Sequence, residues 1–509
     1  MAEYIKITLD NGDIYEGEVE NSVPHGNGTY TWASGKKYEG AWVNNVQQGF
    51  GVLTLPSGAT YTGNFENNLP HGYGEYKMAD GAFYAGNFCE GVRTGNGAIT
   101  FANGNKYTGE FRNNVISGYG VFEYVNGDKY EGEVENGAKN GHGVYTCANG
   151  NTFEGEYVNG AREGYGIERF ANGEGYEGMF VAGKMEGHGI YTYESGCKYD
   201  GEFVGGVKSG YGEETFQNGD SYKGEYKNGS RNGHGVYTYS SGGYYEGGYE
   251  NDKRNGFGIE VYSNGDRYEG EYKGGIRHGA GTYFFANGCY FKGTYVDGKR
   301  DGYGEETYEG GGTFAGNFAN GKREGYGKET MPNGDVFEGD YVDGKRNGTG
   351  KYTYANGCSY EGGYKNGKRN GRGKEIFASG DSFDGNFEDG LRCGLGTYYY
   401  KDGAIFVGEY KNDKRNGYGK ESFIDGSYYE GNYVDGKRNG IGKYVYANGG
   451  SYEGGYVNDQ RDGYGKEIMP NGDTFEGEYK NGKRNGFGIY TFKSGHTIEG
   501  MWENGRSVG

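Results

Sequence analysis

Residues Tyr360–Ser382 read YEGGYKNGKRNGRGKEIFASGDS, and this 23-residue unit decides the fold because it recurs along almost the whole chain. Counted from its first tyrosine as position 1, the unit has aromatic residues at positions 1 and 5 and glycine at positions 3, 12, 14 and 21. Units begin at Tyr15 and Tyr38, and the series continues without an insertion to Phe475 and Ile498. A repeat held in phase over this length predicts a solenoid in which each unit contacts its neighbours.

Two turn signals divide each unit. Asn-Gly stands at positions 7–8, as in Asn366-Gly367, and again at positions 20–21, as in Asn356-Gly357. Asn-Gly is the strongest short signal for a tight hairpin turn, so each unit is predicted to be one hairpin, with strands at positions 1–6 and about 14–18. The predicted fold is all-β, a single-layer elongated solenoid of about 22 antiparallel β-hairpins.

The repeat also divides the chain. Residues 1–14 are predicted to be an N-terminal half-repeat cap, 15–497 to be twenty-one repeats in one continuous solenoid, and 498–509 to be a partial C-terminal repeat. Side-chain parity places positions 1, 3 and 5 on the same face as positions 14, 16 and 18. We expect position 5 to oppose position 14, position 3 to oppose 16, and position 1 to oppose 18.

Composition excludes several classes of protein. Glycine supplies 112 of the 509 residues, tyrosine 56, and the formal net charge is −19. The acidity argues against nucleic acid as a partner. The sequence has no apolar run long enough for a membrane helix and no apolar segment of a signal peptide, and its six cysteines lack paired spacing. We therefore expect a cytoplasmic protein without disulfide bonds.

The unit Tyr360–Ser382 resembles the MORN (membrane occupation and recognition nexus) repeat, because it matches the pattern Y-x-G-x-[YFW]-x-x-G-x-x-x-G-x-G through position 14. The resemblance covers essentially the whole chain. It implies a scaffold of the cytoskeleton or of the cilium or flagellum, such as a radial-spoke head component of the axoneme. In this family, catalysis or a membrane anchor resides in an appended kinase, methyltransferase or transmembrane segment, and this sequence has none.

The first candidate site is an aromatic groove formed by position 5 and its position 18 partners. It would accept a partner helix or an extended segment. The alternative is that these rings are simply the core of a sheet that has no other. The groove candidates are Tyr249, Tyr272, Tyr295, Tyr341, Tyr364, Tyr410 and Tyr433.

The second candidate is a basic edge of Lys-Arg pairs at positions 9–10. It would contact acidic protein tails or, weakly, anionic lipid, and the alternative is a set of solubilising loop tips. The pairs are Lys253-Arg254, Lys299-Arg300, Lys322-Arg323, Lys345-Arg346, Lys368-Arg369, Lys414-Arg415, Lys437-Arg438 and Lys483-Arg484.

The third candidate is the last strand, which reads IEGMW from Ile498 to Trp502. Ile498, Met501 and Trp502 replace the usual polar and tyrosine residues, and an open strand edge tends to pair with another chain. We expect either a homodimer contact through the C-terminal repeats or a local cap in which Trp502 folds over the preceding unit.

Position 16 alternates between tyrosine and glutamate with a 46-residue period, as in Tyr145, Glu168, Tyr191 and Glu214. Tandem duplication or a partner with a matching step would each account for the alternation. Enzyme chemistry has little support, because the glutamates repeat without singling out a pair and the histidines are too widely spaced to share a metal. No catalytic, metal or cofactor residue is predicted.

These observations predict a non-catalytic elongated scaffold that binds other proteins along its groove or edges. The alternatives are a peripheral phospholipid-binding protein at a membrane–cytoskeleton junction and an adaptor that clamps one helix of a motor or kinase.

Overall fold

The computed structural model describes residues 3–509, and the regular elements within that range are all β-strands. The described residues form two compact units, 3–253 and 254–509. In each, the two strands of one hairpin are followed by those of the next, and neighbouring strands pair antiparallel. The predicted all-β solenoid of antiparallel hairpins is confirmed.

The strands of the first unit are β1 (Glu3–Thr8), β2 (Ile14–Glu20), β3 (Val23–Thr31), β4 (Lys37–Val43), β5 (Val46–Thr54), β6 (Thr60–Glu66), β7 (Leu69–Lys77), β8 (Phe83–Cys89), β9 (Val92–Thr100), β10 (Lys106–Arg112), β11 (Val115–Glu123), β12 (Lys129–Glu135), β13 (Ala138–Thr146), β14 (Thr152–Val158), β15 (Ala161–Arg169), β16 (Gly175–Val181), β17 (Lys184–Thr192), β18 (Lys198–Val204), β19 (Val207–Thr215), β20 (Ser221–Lys227), β21 (Ser230–Thr238) and β22 (Gly243–Glu250).

The remaining strands are β23 (Lys253–Tyr262), β24 (Arg267–Lys273), β25 (Ile276–Phe284), β26 (Tyr290–Val296), β27 (Lys299–Tyr308), β28 (Gly312–Ala319), β29 (Lys322–Thr330), β30 (Val336–Val342), β31 (Lys345–Thr353), β32 (Ser359–Lys365), β33 (Lys368–Ile376), β34 (Ser382–Glu388), β35 (Leu391–Tyr399), β36 (Ile405–Lys411), β37 (Lys414–Ser422), β38 (Tyr428–Val434), β39 (Lys437–Val445), β40 (Ser451–Val457), β41 (Gln460–Ile468), β42 (Thr474–Lys480), β43 (Lys483–Thr491), β44 (Thr497–Glu503) and β45 (Arg506–Ser507).

One repeat shows how the sequence forms the hairpin. Asn366 and Gly367 connect β32 to β33 with φ angles of 51° and 84°, which is the geometry of a two-residue type I′ turn. The other Asn-Gly pair lies in a three-residue loop, in which only Gly357 has a positive φ and its N–H donates to the Tyr354 carbonyl at 3.0 Å. The predicted turns are therefore present at both places, although they are of different types.

The second strand of each hairpin is longer than predicted. β33 has nine residues and begins at position 9, directly after the turn, whereas the sequence placed this strand at about position 14. The difference arises because Lys368 and Arg369 continue the pairing with Lys365 and Tyr364. Positions 9 and 10 are therefore strand residues and not a loop tip.

Successive hairpins are also joined through their turns. The N–H of Gly367 donates to the carbonyl of Arg346 in the preceding repeat, at 2.8 Å. The same bond from position 8 to position 10 recurs along the chain, for example from Gly505 to Arg484 at 2.9 Å. This ladder of turn bonds satisfies N–H groups that would otherwise be left at the end of each hairpin.

The predicted strand register is wrong by two residues. Within the repeat, Gly362 pairs with Gly373 and Tyr360 with Glu375, so position 3 opposes 14 and position 1 opposes 16. A bulge after Gly362 then brings Tyr364 opposite Arg369. The parity argument still holds, because a shift of two residues keeps every side chain on its predicted face.

The paired glycines make room for the ring of their own repeat. Tyr360 is fully buried over Gly362 and Gly373, and its hydroxyl donates to the Gly363 carbonyl at 3.0 Å. A Cβ on Gly373 would lie 2.4–2.6 Å from atoms of that ring. The core is therefore a row of position 1 rings, each lying on glycine backbone.

Candidate binding surfaces

The predicted groove residues lie in the core. Position 5 rings meet position 1 rings edge to face, as between Tyr364 and Tyr360, whose centroids are 5.3 Å apart at an interplanar angle of 88°. The same rings also contact the preceding repeat, as between Tyr364 and Phe337 at 5.1 Å. The seven candidates Tyr249, Tyr272, Tyr295, Tyr341, Tyr364, Tyr410 and Tyr433 are only 2–7% exposed. This burial corresponds to the core alternative, so no groove over these rings is open in the structure.

The Lys-Arg pairs do not form a uniformly basic edge. The lysines at position 9 are exposed, whereas the arginines at position 10 turn inward and are half-buried. Arg323 lies over Phe314, with its guanidinium carbon 4.1 Å from the ring centroid. Such an arginine covers an aromatic ring of the core and is stabilised by a cation–π contact.

These arginines pair with the glutamates at position 16. Arg369 Nη1 lies 2.6 Å from Glu375 Oε1, and Arg300 Nη1 lies 2.6 Å from Glu306 Oε2. Every glutamate-type repeat has such a pair six residues apart; the others are Arg162–Glu168, Lys208–Glu214, Arg254–Glu260, Arg323–Glu329, Arg415–Glu421 and Arg461–Glu467. This contact was not predicted from the sequence, because the second strand was predicted to begin at about position 14 and therefore to exclude position 10.

Two successive glutamate-type repeats form a continuous network. Arg323 contacts both Glu306 and Glu329, at 2.8 and 2.7 Å, and Arg346 Nη2 reaches Glu329 at 2.8 Å. Burial alone would raise the pKa of Glu329, but the two guanidinium groups outweigh burial and lower that pKa to about 2. Glu329 is therefore held as a carboxylate whose charge is compensated within the fold.

Tyrosine-type repeats use a different partner. The Tyr352 hydroxyl donates to Asp335 at 2.7 Å, and the Ala355 N–H donates to the other oxygen of the same carboxylate at 2.9 Å. These two bonds hold the pKa of Asp335 below its usual value. The acid stands at position 22 of the preceding repeat, as it does for Tyr145, Tyr237, Tyr283, Tyr398 and Tyr490.

The 46-residue alternation thus has a physical account. Repeats that precede a glutamate-type repeat have a neutral residue at position 22, such as Cys197, Gly243 or Cys358. In most repeats, position 16 is therefore matched to position 22 of the repeat on its N-terminal side; Tyr444, whose hydroxyl contacts Ser427, has no acid there. This coupling stabilises the fold without involving a partner.

The C-terminal strand is partly capped. Trp502 is buried against Phe475, with centroids 5.1 Å apart, and its indole N–H donates to the Gly488 carbonyl at 3.4 Å. The short strand β45 pairs with β44 beyond it. This matches the local-cap alternative for Trp502, whereas Ile498 and Met501 remain exposed.

The sequence did not predict a row of exposed aromatic residues within the repeats. They stand at position 13, between two core-facing glycine positions, and therefore point to the outer face of the sheet. Their exposed fractions of roughly one half to two thirds contrast with the buried rings at positions 1 and 5. The aromatic column at position 13 is visible in the sequence. This outer row comprises Phe50, Tyr73, Tyr119, Tyr165, Tyr211, Phe257, Tyr303, Tyr326, Tyr418, Tyr464 and Phe487.

The MORN repeat profile matches 21 consecutive stretches of 23 residues, which together run from residue 15 to residue 497. The chain belongs to the MORN repeat family. The MORN match indicates a repeat protein of the kind that binds protein or lipid. It begins at 15–37 and ends at 475–497, in the same phase as the hairpins described above.

One curated relative shares part of the MORN region. Phosphatidylinositol 4-phosphate 5-kinase 1 of Oryza sativa subsp. japonica is 46% identical over 46 residues, which are 9% of this chain and 6% of the kinase. This chain therefore matches only a small fraction of that kinase's length. The similarity carries no implication of kinase activity for the MORN repeats.

Solved structures with local similarity include two centriolar domains. The TCP domain of Drosophila melanogaster SAS-4 in complex with a proline-rich motif of Ana2 is 16% identical, covers 35% of this chain and 85% of its own, and has a TM-score of 0.19. The TCP10 domain of Danio rerio CPAP with a STIL peptide is 11% identical, covers 57% and 98%, and also has a TM-score of 0.19. TM-scores this low establish neither a shared fold nor a shared partner.

Two other kinds of site are absent from the part of the chain that the structure describes. Among residues 3–509, no group of three or more histidine, cysteine, aspartate or glutamate side chains is arranged to hold a metal ion. The same residues include no helix of the length and apolarity needed to cross a membrane.

Proposed function

We propose that this MORN protein is a non-catalytic scaffold that binds other proteins in a cytoskeletal or ciliary assembly, such as a radial-spoke-like part of the axoneme. The observation that carries the proposal is the repetition of identical exposed positions at every 23rd residue, without an insertion. Repeated weak contacts become firm attachment when they are linked, because each later contact forms at high effective concentration.

The division of roles within each repeat supports this function. Positions 1, 5, 10 and 16 satisfy one another inside the fold, so their rings and charges hold the hairpins in register. Positions 2, 4, 9 and 13 remain on the surface and vary between repeats. The interior thus holds the hairpins together, and the exposed positions present side chains to a partner.

Fractionation of the tagged full chain in its own cells tests the proposal. We expect the protein to remain with the detergent-insoluble cytoskeleton, and proximity labelling to mark structural proteins of one assembly. Complete release into the soluble fraction, with no recurrent neighbour, would contradict the scaffold function.

A peripheral phospholipid-binding protein is the second candidate, and the exposed lysines at position 9 favour it. Several of these lysines, however, face an aspartate of the next repeat, as Lys368 does Asp389 and Lys414 does Asp435, both at 3.5 Å. The row therefore carries charges of both signs, which weakens its attraction to an anionic surface.

Co-sedimentation with vesicles of phosphatidylcholine, phosphatidylserine and a phosphoinositide separates the two functions. Lipid binding through this row should weaken with salt and with Lys345→Ser, Lys437→Ser and Lys483→Ser in one variant. The outer-face variant Lys328→Ser, Lys443→Ser and Lys466→Ser is the control with the same charge change. We expect the wild type to bind vesicles no more tightly than the variant Lys345→Ser, Lys437→Ser, Lys483→Ser does.

A further inference from the structure

We propose that the outer face of repeats 107–211 is a docking surface for an extended, arginine-rich protein segment with a cationic residue at about every third position. The proposal rests on the interaction-scaffold function and adds the class of partner. We name this surface the acidic strip. Its position 13 residues are Tyr119, His142, Tyr165, His188 and Tyr211, and its carboxylates are Glu110, Glu131, Glu133, Glu154, Glu156, Glu177, Asp200 and Glu202.

The strip combines exposed rings with carboxylates on one face. Tyr119 and Tyr165 are 54% and 52% exposed, although neither lies at a chain end or in a loop. The Tyr119 hydroxyl lies 3.3 Å from Glu131 Oε1, and the Tyr165 hydroxyl donates to Glu177. Each of these two tyrosines therefore lies beside a carboxylate of the next repeat, while about half of its surface remains exposed.

The negative charge of the strip is largely uncompensated. At one end of the strip, Glu110 lies 3.5 Å from Arg112, and Glu131 lies 2.7 Å from Lys129. Within residues 3–509, no lysine or arginine forms an ion pair with the six other carboxylates. His142 lies 3.4 Å from Glu156, and His188 lies 2.9 Å from Asp200.

The corresponding face of the second unit is different. There, position 15 is often lysine and pairs with the position 2 glutamate, as Lys328 does with Glu338 at 2.6 Å and Lys443 with Glu453 at 3.0 Å. In the first four repeats of the strip, position 15 is apolar and half-buried, as at Val144 and Ile167, whereas in the fifth it is Glu213, which pairs with Lys223. The missing lysines leave a site whose charge is complementary to a cationic partner.

Arginine fits this site better than other cations. A guanidinium group can stack on the exposed face of a tyrosine while it donates to the adjacent carboxylate, whereas a lysine ammonium lacks the planar fork. The acidic charge excludes nucleic acid and anionic membranes from the same surface.

The repeat spacing sets the spacing of the cations. Two strands about 4.8 Å apart make each repeat advance roughly 9.6 Å. A polyproline II chain has three residues per turn and rises about 3.1 Å per residue, so three residues span about the same distance and return to the same face of the chain. A segment that runs across the strands therefore brings every third side chain to successive tyrosine and histidine positions.

Fluorescence anisotropy with the full chain tests the proposal. The probe is a labelled 15-residue peptide of five Arg-Gly-Ser triplets, and its control contains the same residues with arginine at every second position of the first nine. We expect the triplet peptide to bind at least about threefold more tightly and to weaken with added salt. Equal binding of the two peptides, no binding by either, or preferential binding of the chain to anionic vesicles would overturn the proposal.

Substitutions locate the site. The variant Glu154→Gln, Glu177→Gln, Asp200→Asn should weaken binding of the triplet peptide about tenfold, since each lost charge pair contributes a fraction of that change. The matched control is Glu338→Gln, Glu430→Gln, Glu453→Gln in the second unit, where lysines already neutralise the outer face. This control should change binding of the triplet peptide less than twofold. Equal losses of peptide affinity in the two variants would show that the peptide is attracted by the net charge of the protein alone. That result would overturn the proposed site.

The rings are tested separately from the charge. The variant Tyr119→Ser, Tyr165→Ser, Tyr211→Ser keeps every carboxylate, and its exposed positions should leave the circular dichroism spectrum unchanged. We expect this variant to bind the triplet peptide more weakly than the wild type does. The difference in affinity between the triplet peptide and its control peptide should also be smaller. Unchanged binding of the triplet peptide would exclude stacking of arginine on the tyrosines of the strip. The scaffold function is tested separately, by retention of the protein in the cytoskeletal fraction.

Discussion

At the residue scale, the glycines at positions 3 and 14 determine whether the core can form. Gly373 has an ordinary strand conformation, so its requirement for glycine arises from space and not from φ. A side chain there would enter the volume of the Tyr360 ring. Gly357, by contrast, has a φ of 89° and open space around its Cβ position.

We therefore expect Gly373→Val to destabilise its repeat by about 3 kcal/mol, the upper end of the cost of overpacking. Gly357→Asn is the control and should cost about 1 kcal/mol, because asparagine tolerates the left-handed region. Hydrogen exchange of peptides covering 359–376 measures the local effect, which a global melt of a repeat protein can obscure. Equal exchange in the two variants would contradict the packing described for Tyr360.

Glu329 provides a pH-dependent prediction at the same scale. Its pKa is lowered from 4.5 to about 2, so its charge stabilises the fold above pH 4.5, and this contribution is lost as the pH falls toward 2. We expect Glu329→Gln to lower the free energy of unfolding by about 3 kcal/mol at neutral pH. The difference from wild type should shrink in denaturant titrations between pH 4.5 and 2.

Glu338→Gln is the matched control for this titration. Glu338 is a half-buried outer-face residue paired with the exposed Lys328 at 2.6 Å, and ion pairs of this kind at the surface contribute at most about 1 kcal/mol. A difference between Glu329→Gln and wild type that stays constant down to pH 2 would exclude the Arg323–Glu329–Arg346 network as its source.

At the scale of the element, the hairpin repeat was largely predictable and its pairing was not. Asn366-Gly367 and the aromatic residues at positions 1 and 5 specify the turn and the buried face from local signals. The register depends on the contact of Gly362 with Gly373, which replaces the expected contact of a glycine with a ring of the opposite strand. Since both arrangements have the same parity, the pattern of apolar residues could not distinguish them.

The alternation between repeats predicts how hairpins can be removed. Deletion of 199–221 would place Cys197 before the repeat of Tyr237, which then loses its carboxylate partner Asp220. Deletion of 199–244 would place Cys197 before the repeat of Glu260, which needs a neutral neighbour. Thermal melting should show the shorter deletion to be the more destabilising, because a lost hydrogen bond to a charged group costs about 1.5–3 kcal/mol.

A lower melting temperature for the 199–244 deletion than for the 199–221 deletion would show that chain length outweighs the match between neighbours. Position 22 would then have no role in the order of the repeats.

At the scale of the whole molecule, the candidate sites were less predictable than the fold. The position 10 arginines, such as Arg369, were expected on a basic edge because their neighbours in sequence are turn residues. Their inward orientation follows from Glu375 and Tyr360, which are distant in sequence from the turn and known only from the register. The acidic strip could not be predicted from the sequence for a related reason. The exposure of Tyr119 depends on which face of the sheet the glycines occupy.

Self-association remains a prediction for the whole molecule. Ile498 and Met501 are 39% and 52% exposed on the last full strand, and apolar strand edges favour pairing with another chain. We expect multi-angle light scattering to give a dimer mass at micromolar concentration for the wild type and a monomer mass for Ile498→Lys, Met501→Lys. The control Met179→Lys, Ile441→Lys changes outer-face residues and should leave the dimer intact; a monomeric wild type would exclude this contact.

The bond between successive turns has a consequence for chemical ageing. Asparagine followed by glycine deamidates when the glycine nitrogen attacks the side-chain amide and closes a succinimide ring. In the turn of Asn366 and Gly367 that nitrogen is held by its hydrogen bond to the Arg346 carbonyl, and the left-handed backbone fixes the geometry of the pair. We expect mass spectrometry to find this asparagine intact long after the same sequence in a free peptide has converted to isoaspartate, so that the protein's many Asn-Gly turns age slowly while the hairpins stay stacked.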